Sequence, residues 1–66
     1  MTAQTLRASE LLPGDVARLA MNPETVERIT KSDDGDWLYV YTEEVGDEAA
    51  HVVRPHHLVE VESREG

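Results

Sequence analysis

Sixty-six residues make at most one domain, near the lower size at which a chain folds without staples. The absence of cysteine excludes disulfides and thiolate metal sites, and 14 Asp+Glu against 6 Lys+Arg give a net charge of −8. A hydrophobic content of 39% supports a core of about 3–5 kcal/mol net, with little left over for a water-excluding pocket of about 300–1,000 Å³, so no enzyme is expected.

The cations are Arg7, Arg18, Arg28, Lys31, Arg54 and Arg64, spread singly along the chain with no basic stripe. Since a phosphate backbone is held mainly by clustered Lys and Arg, this spread argues against direct nucleic-acid binding. No apolar run approaches the roughly 20 residues of a bilayer span, and Met1–Leu12 contains no continuous apolar stretch of the signal-peptide kind. The expected setting is cytoplasmic, away from membranes.

Turn signals recur at short intervals: Pro13-Gly14-Asp15, Asn22-Pro23-Glu24, Asp33-Asp34-Gly35-Asp36, Gly46-Asp47 and Arg54-Pro55. The segments between them suit strands rather than helices, so the spacing predicts an all-β sandwich or barrel. Residues 1–9 are read as a flexible N-terminal segment, 10–62 as the folded unit and 63–66 as a frayed end. Ala8-Ser9-Glu10-Leu11-Leu12 is a short turn or strand, with Leu11 or Leu12 closing one end of the core.

A first strand is predicted from Asp15 to Met21, with Ala17, Leu19 and Met21 sharing a face. The second, Thr25 to Lys31, holds Val26 and Ile29 at opposite parity; either a bulge intervenes or one of them faces outward. The third, Trp37 to Thr42, carries all three aromatics of the chain at i, i+2 and i+4, with Leu38 and Val40 on the other face. A fourth covers Ala49 to Arg54, and Pro55-His56-His57 fits a single 3₁₀ turn. The fifth, Leu58 to Glu62, alternates Val59 and Val61 with glutamates.

Three stretches in this order resemble the SH3-like barrels. Glu10-Leu11-Leu12-Pro13-Gly14-Asp15-Val16 is similar to the acidic approach to the family's first long strand. Lys31-Ser32-Asp33-Asp34-Gly35-Asp36-Trp37 resembles its acidic turn and leading tryptophan. Val53-Arg54-Pro55-His56-His57-Leu58-Val59-Glu60-Val61 looks like its strand, 3₁₀ turn and closing strand. The resemblance implies a single five-stranded SH3-like barrel with one 3₁₀ turn before the last strand. Of the family's peptide groove only Trp37 and Pro55 have counterparts: no early tyrosine-rich stretch exists, and Leu58 stands where a tyrosine follows the proline. The likeness is therefore to accessory barrels of bacterial, plastid or phage type rather than to proline-rich-peptide binders.

With Leu38 and Val40 facing the core, Trp37, Tyr39 and Tyr41 point outward as a strip, covered either by the chain itself or by a partner. Asp33, Asp34 and Asp36 precede this strand, while Glu43, Glu44, Asp47 and Glu48 follow it, so the acids bracket the rings. An aromatic centre with an acidic rim suits a protein partner whose surface is basic or neutral. The partner-binding set is accordingly Trp37, Tyr39, Tyr41, Asp33, Asp34, Asp36, Glu43 and Glu44.

His51, His56 and His57 lack any metal-ligand spacing and read as turn or hydrogen-bonded histidines. The aspartates at 33–36 do not match a calcium loop. No serine lies in a nucleophile frame and no glycine-rich phosphate loop exists, so neither a catalytic residue nor a cofactor or metal is expected.

The sequence thus describes a small acidic, non-enzymatic interaction module, of the kind found among phage and accessory regulatory proteins, with homodimerisation left open. Its alternatives are a nucleic-acid-associated small barrel, stacking bases on the same rings, and an accessory subunit of a larger enzyme.

Overall fold

The computed structural model describes residues 4–63. Among these, strands β1 (Gln4–Arg7), β2 (Val16–Ala17), β3 (Glu24–Lys31), β4 (Leu38–Thr42), β5 (His51–Val53) and β6 (Leu58–Ser63) form one antiparallel sheet in the order β1-β6-β2-β3-β4-β5. One 3₁₀ turn, Ala8–Glu10, is the only helical element among the described residues. No helix there is long and apolar enough to cross a membrane.

The all-β reading holds, and the five-stranded barrel is corrected in two respects. A sixth strand is present, because Gln4–Arg7, assigned from sequence to the flexible segment, pairs with β6 in the register Gln4↔Val61 to Arg7↔Leu58. The sheet is also open: β1 pairs only β6 and the three-residue β5 pairs only β4, so two edges remain. Residues 1–3 and 64–66, at the predicted frayed ends, lie outside the described residues.

The predicted first strand is cut to Val16–Ala17. Its backbone still reaches β6 at Arg18, whose N–H donates to Glu60 O at 2.9 Å, but the chain then bends away. Alternation ends with it: Ala17 is buried and Leu19 packs against the core, whereas Met21 is 91% exposed.

The 3₁₀ turn is likewise displaced from its predicted place. Arg54–His57 is a β-turn closed by one bond, from His57 N–H to Arg54 O at 3.1 Å. The outer carbonyls of that turn accept from the real 3₁₀ segment, Ala8 N–H to His57 O at 2.8 Å and Ser9 N–H to Pro55 O at 2.9 Å. Two turns far apart in sequence thereby satisfy each other's backbone.

Parity within β3 is resolved by a bulge. Val26 opposes Thr42, but Arg28 opposes Tyr41 and Ile29 opposes Val40, so one extra residue lies between Val26 and Arg28. The inserted residue rotates the strand by half a pleat. Val26 is thereby fully buried while Ile29 still packs on the same core.

That core consists of Ala8, Leu11, Ala17, Val26, Leu38, Val40, Val59 and Val61, with Leu6, Leu19, Ile29 and Val53 against it. Of the pair read as closing one end, Leu11 is buried and Leu12 is 54% exposed. No ring contributes. The core is filled by valine, alanine and leucine, and every aromatic of the chain stays outside it.

Candidate functional site

β4 alternates buried and half-buried positions along its length: Leu38, Val40 and Thr42 point inward, Tyr39 and Tyr41 outward. Trp37 immediately precedes the strand and is also half-buried. The register supplies the rest of the outer face. Arg28 lies opposite Tyr41 from β3, and Tyr39 stands between Thr30 of β3 and Val52 of β5. Thr30 and Val52 are both exposed, Val52 by 53%.

Two of the rings are capped by the chain's own cations. The Arg28 guanidinium lies 3.8 Å from the Tyr41 ring centroid, and that of Arg54 lies 4.1 Å from the Trp37 ring. Such stacks hold a guanidinium against the negative face of the ring while its edge stays in water. The cover over the strip includes Arg28 of β3 and Arg54 at the start of the Arg54–His57 turn, and it is partial, since all three rings are half-buried.

The acids occupy the two ends of β4, as expected from its position between two hairpin loops, but they do different things. Asp34 builds the loop before the strand: its Oδ1 accepts from Ser32 Oγ–H at 2.6 Å and from the Asp36 N–H at 3.0 Å. Ser32 Oγ in turn accepts the Trp37 N–H at 3.1 Å, so this turn orients the tryptophan. The Ser32 hydrogen bond, then the Asp36 amide, with the Arg54 charge nearby, hold the Asp34 carboxyl below the usual aspartate range. Asp33 and Asp36 are exposed beside it.

At the other end Glu44 is committed to β3, accepting the Thr25 N–H at 2.7 Å and the Thr25 hydroxyl at 3.2 Å. Asp47 Oδ1 lies 3.6 Å from Arg28 Nη2, and Glu43 is exposed. Asp34 and Glu44, both in the predicted binding set, therefore shape loops. Asp33, Asp36 and Glu43 are the members of that set left facing solvent.

A second cluster escaped the sequence reading. Glu24 Oε1 accepts the Thr42 hydroxyl and lies against His51 Nε2, each at 2.7 Å. Glu24 and His51 side chains are 12% and 23% exposed, so the pair is largely withdrawn from water. Hydrogen bonding by Thr42, then by His51, with the His51 charge adding, lowers the Glu24 carboxyl below its usual range. The sequence offers His51 as a hydrogen-bonded histidine but does not name its partner. His56 and His57 are exposed in and beside the Arg54–His57 turn. No group of three or more His, Cys, Asp or Glu among the described residues is placed to hold a metal ion.

No known protein family, curated protein or solved structure matches the chain.

Proposed function

We infer that this chain is a small, non-enzymatic protein-interaction module of SH3-like build, and that its working surface is the outer face of β3, β4 and β5. One observation carries the reading. The chain fills its core with valine, alanine and leucine and keeps its three rings together on one outward face. A core this small gains from every ring it buries, since each aromatic contributes roughly 150–250 Å² of surface. Leaving all three outside favours a use beyond folding, and Trp and Tyr are the residues over-represented at interface hot spots.

The partner fits as a protein with a basic or neutral surface. Fourteen acids against six bases steer such a partner inward, and Asp33, Asp36 and Glu43 stand exposed at the ends of the ring strip. The SH3-like assignment is supported by the Arg54–His57 turn that leads into the closing strand β6 and by the pairing of β6 on both sides. An accessory subunit is the case in which the partner is an enzyme. A cytoplasmic protein of cellular or phage origin is the corresponding setting.

The test is cross-linked capture from native lysate with the wild type and with Trp37→Ala/Tyr39→Ala. The variant keeps a dispersed amide spectrum and loses the proteins retained by the wild type. An unchanged set of captured proteins on a folded variant removes this surface from consideration.

A second reading draws on Arg28 and Arg54, because rings flanked by arginines also stack single-stranded nucleic acid. Arg28 already has a carboxylate 3.6 Å away, and the surplus negative charge of the chain repels a phosphate backbone. Titration with single-stranded DNA or RNA at low salt separates the two readings. Shifts on the rings that vanish steeply with added salt favour nucleic acid; their absence favours the protein partner.

A further inference from the structure

The three outward rings are not equivalent. Tyr41 carries Arg28 and Trp37 carries Arg54, whereas Tyr39 between them carries no cation among the described residues. Its cross-strand neighbours, Thr30 and Val52, are exposed and uncharged, and the ring between them is half-buried. The resident arginines show which side chain this face accepts: a planar guanidinium laid on a ring. Arg28 also has an anion at hand, Asp47 at 3.6 Å.

We propose that Tyr39 is the docking ring for an arginine of the partner, presented from an extended basic segment that crosses β4; this rests on the interaction-module reading above. The incoming guanidinium completes a row of three ring-stacked cations. Neighbouring rings on one face are about 7 Å apart along the strand, so repulsion from the resident arginines is a factor. It is reduced by Asp47 beside Arg28 and by water, and the net charge of −8 favours a cationic partner over the molecule as a whole. Arginine is favoured over lysine because a flat, weakly hydrated guanidinium stacks where an ammonium remains solvated.

The experiment is an amide and aromatic NMR titration of the full chain at low salt with hexa-arginine, hexalysine and hexaglutamate peptides, repeated on Tyr39→Phe and Tyr39→Leu. Hexa-arginine is expected to shift the Tyr39 ring and bind more tightly than hexalysine of equal charge. Tyr39→Phe, which keeps the ring, retains that affinity, while Tyr39→Leu weakens it by about three- to thirtyfold. Equal binding of the arginine and lysine peptides, with shifts confined to the acidic loops, overturns the proposal. So does tighter binding of hexaglutamate, which assigns the Tyr39 face to an anion held between Arg28 and Arg54.

Failure here is distinguishable from failure of the broader reading. If Tyr39→Leu leaves hexa-arginine binding unchanged while Trp37→Ala/Tyr39→Ala still loses the captured partner, the face stands and the arginine assignment falls.

Discussion

His51 Nε2 lies 2.7 Å from Glu24 Oε1, and the bond reaches across β4 to join the edge strand β5 to β3. Thr42 of β4 donates to the same oxygen, so a single carboxylate ties three adjacent strands at one end of the sheet. β5 is three residues long and has a ladder on one side only, and this tie adds a side-chain anchor to that ladder.

A pH dependence of stability follows from the lowered Glu24 carboxyl. A carboxyl whose native pKa lies below its unfolded one contributes fully above the unfolded value, and that contribution is lost as pH falls through the native value. Glu24→Gln should therefore cost about 1.5–3 kcal/mol at pH 7, as expected for hydrogen bonds to a charged group, and progressively less in acid. Urea midpoints of both proteins between pH 7 and pH 3 check this. A gap that stays constant across the range contradicts it.

The two faces of β4 should respond oppositely to truncation. Leu38 is 4% exposed, and Leu38→Ala is expected to cost about 2–5 kcal/mol, comparable with the whole net stability of so small a core. Tyr39→Ala, on the outer face, should leave a folded chain. Circular dichroism and amide dispersion distinguish the two, and an unfolded Tyr39→Ala would show that the ring is structural.

Asp15 is fully buried, and its Oδ2 accepts the Leu12 N–H at 2.8 Å across a turn that Asp15 N–H also closes onto Leu12 O at 3.1 Å. Pro13 and Gly14 fill the middle of that turn, and Gly14 has a φ of 96°, which side-chain-bearing residues rarely adopt. Asp15→Ala strands the Leu12 donor and should lower stability by about 1–3 kcal/mol. Asp15→Asn, which retains an acceptor, should lie between it and the wild type in urea denaturation.

Arg18, by contrast, should matter little. Its guanidinium reaches Glu62 at 2.6 Å and Glu60 at 3.5 Å, but the three side chains are 46%, 36% and 53% exposed. Exposed pairs of this kind contribute about 0–1 kcal/mol, so Arg18→Ala should shift the urea midpoint only slightly, and less still in high salt.

The elements visible in the sequence were those whose own residues carry the signal. Leu38 and Val40 alternating with rings fix which face of β4 is buried, and Val59 and Val61 do the same for β6. Val26 and Ile29 announced a bulge or an outward residue, and only pairing with Thr42 and Val40 selects the bulge. Gln4–Arg7 was missed because one leucine among polar residues makes no pattern; β6, with an open side, recruits it. Met21 does not continue the face of Ala17 and Leu19, because the chain bends away before it.

The site divides along the same line. The shared face of Trp37, Tyr39 and Tyr41 follows from strand geometry alone. The arginines on two of those rings, and Glu24 meeting His51 from 27 residues away, depend on tertiary register and leave no local trace. Asp34 and Glu44 looked like free rim charges, but turn and strand backbone claim them.

The most direct measurement is hydroxyl-radical footprinting of the free chain and of its partner-bound form. Trp37, Tyr39 and Tyr41 should be oxidised in the free chain, and Tyr39 should be the most strongly protected on binding. Rings that are inert in the free protein, or equally oxidised before and after complex formation, would contradict a working surface on the outer face of β4.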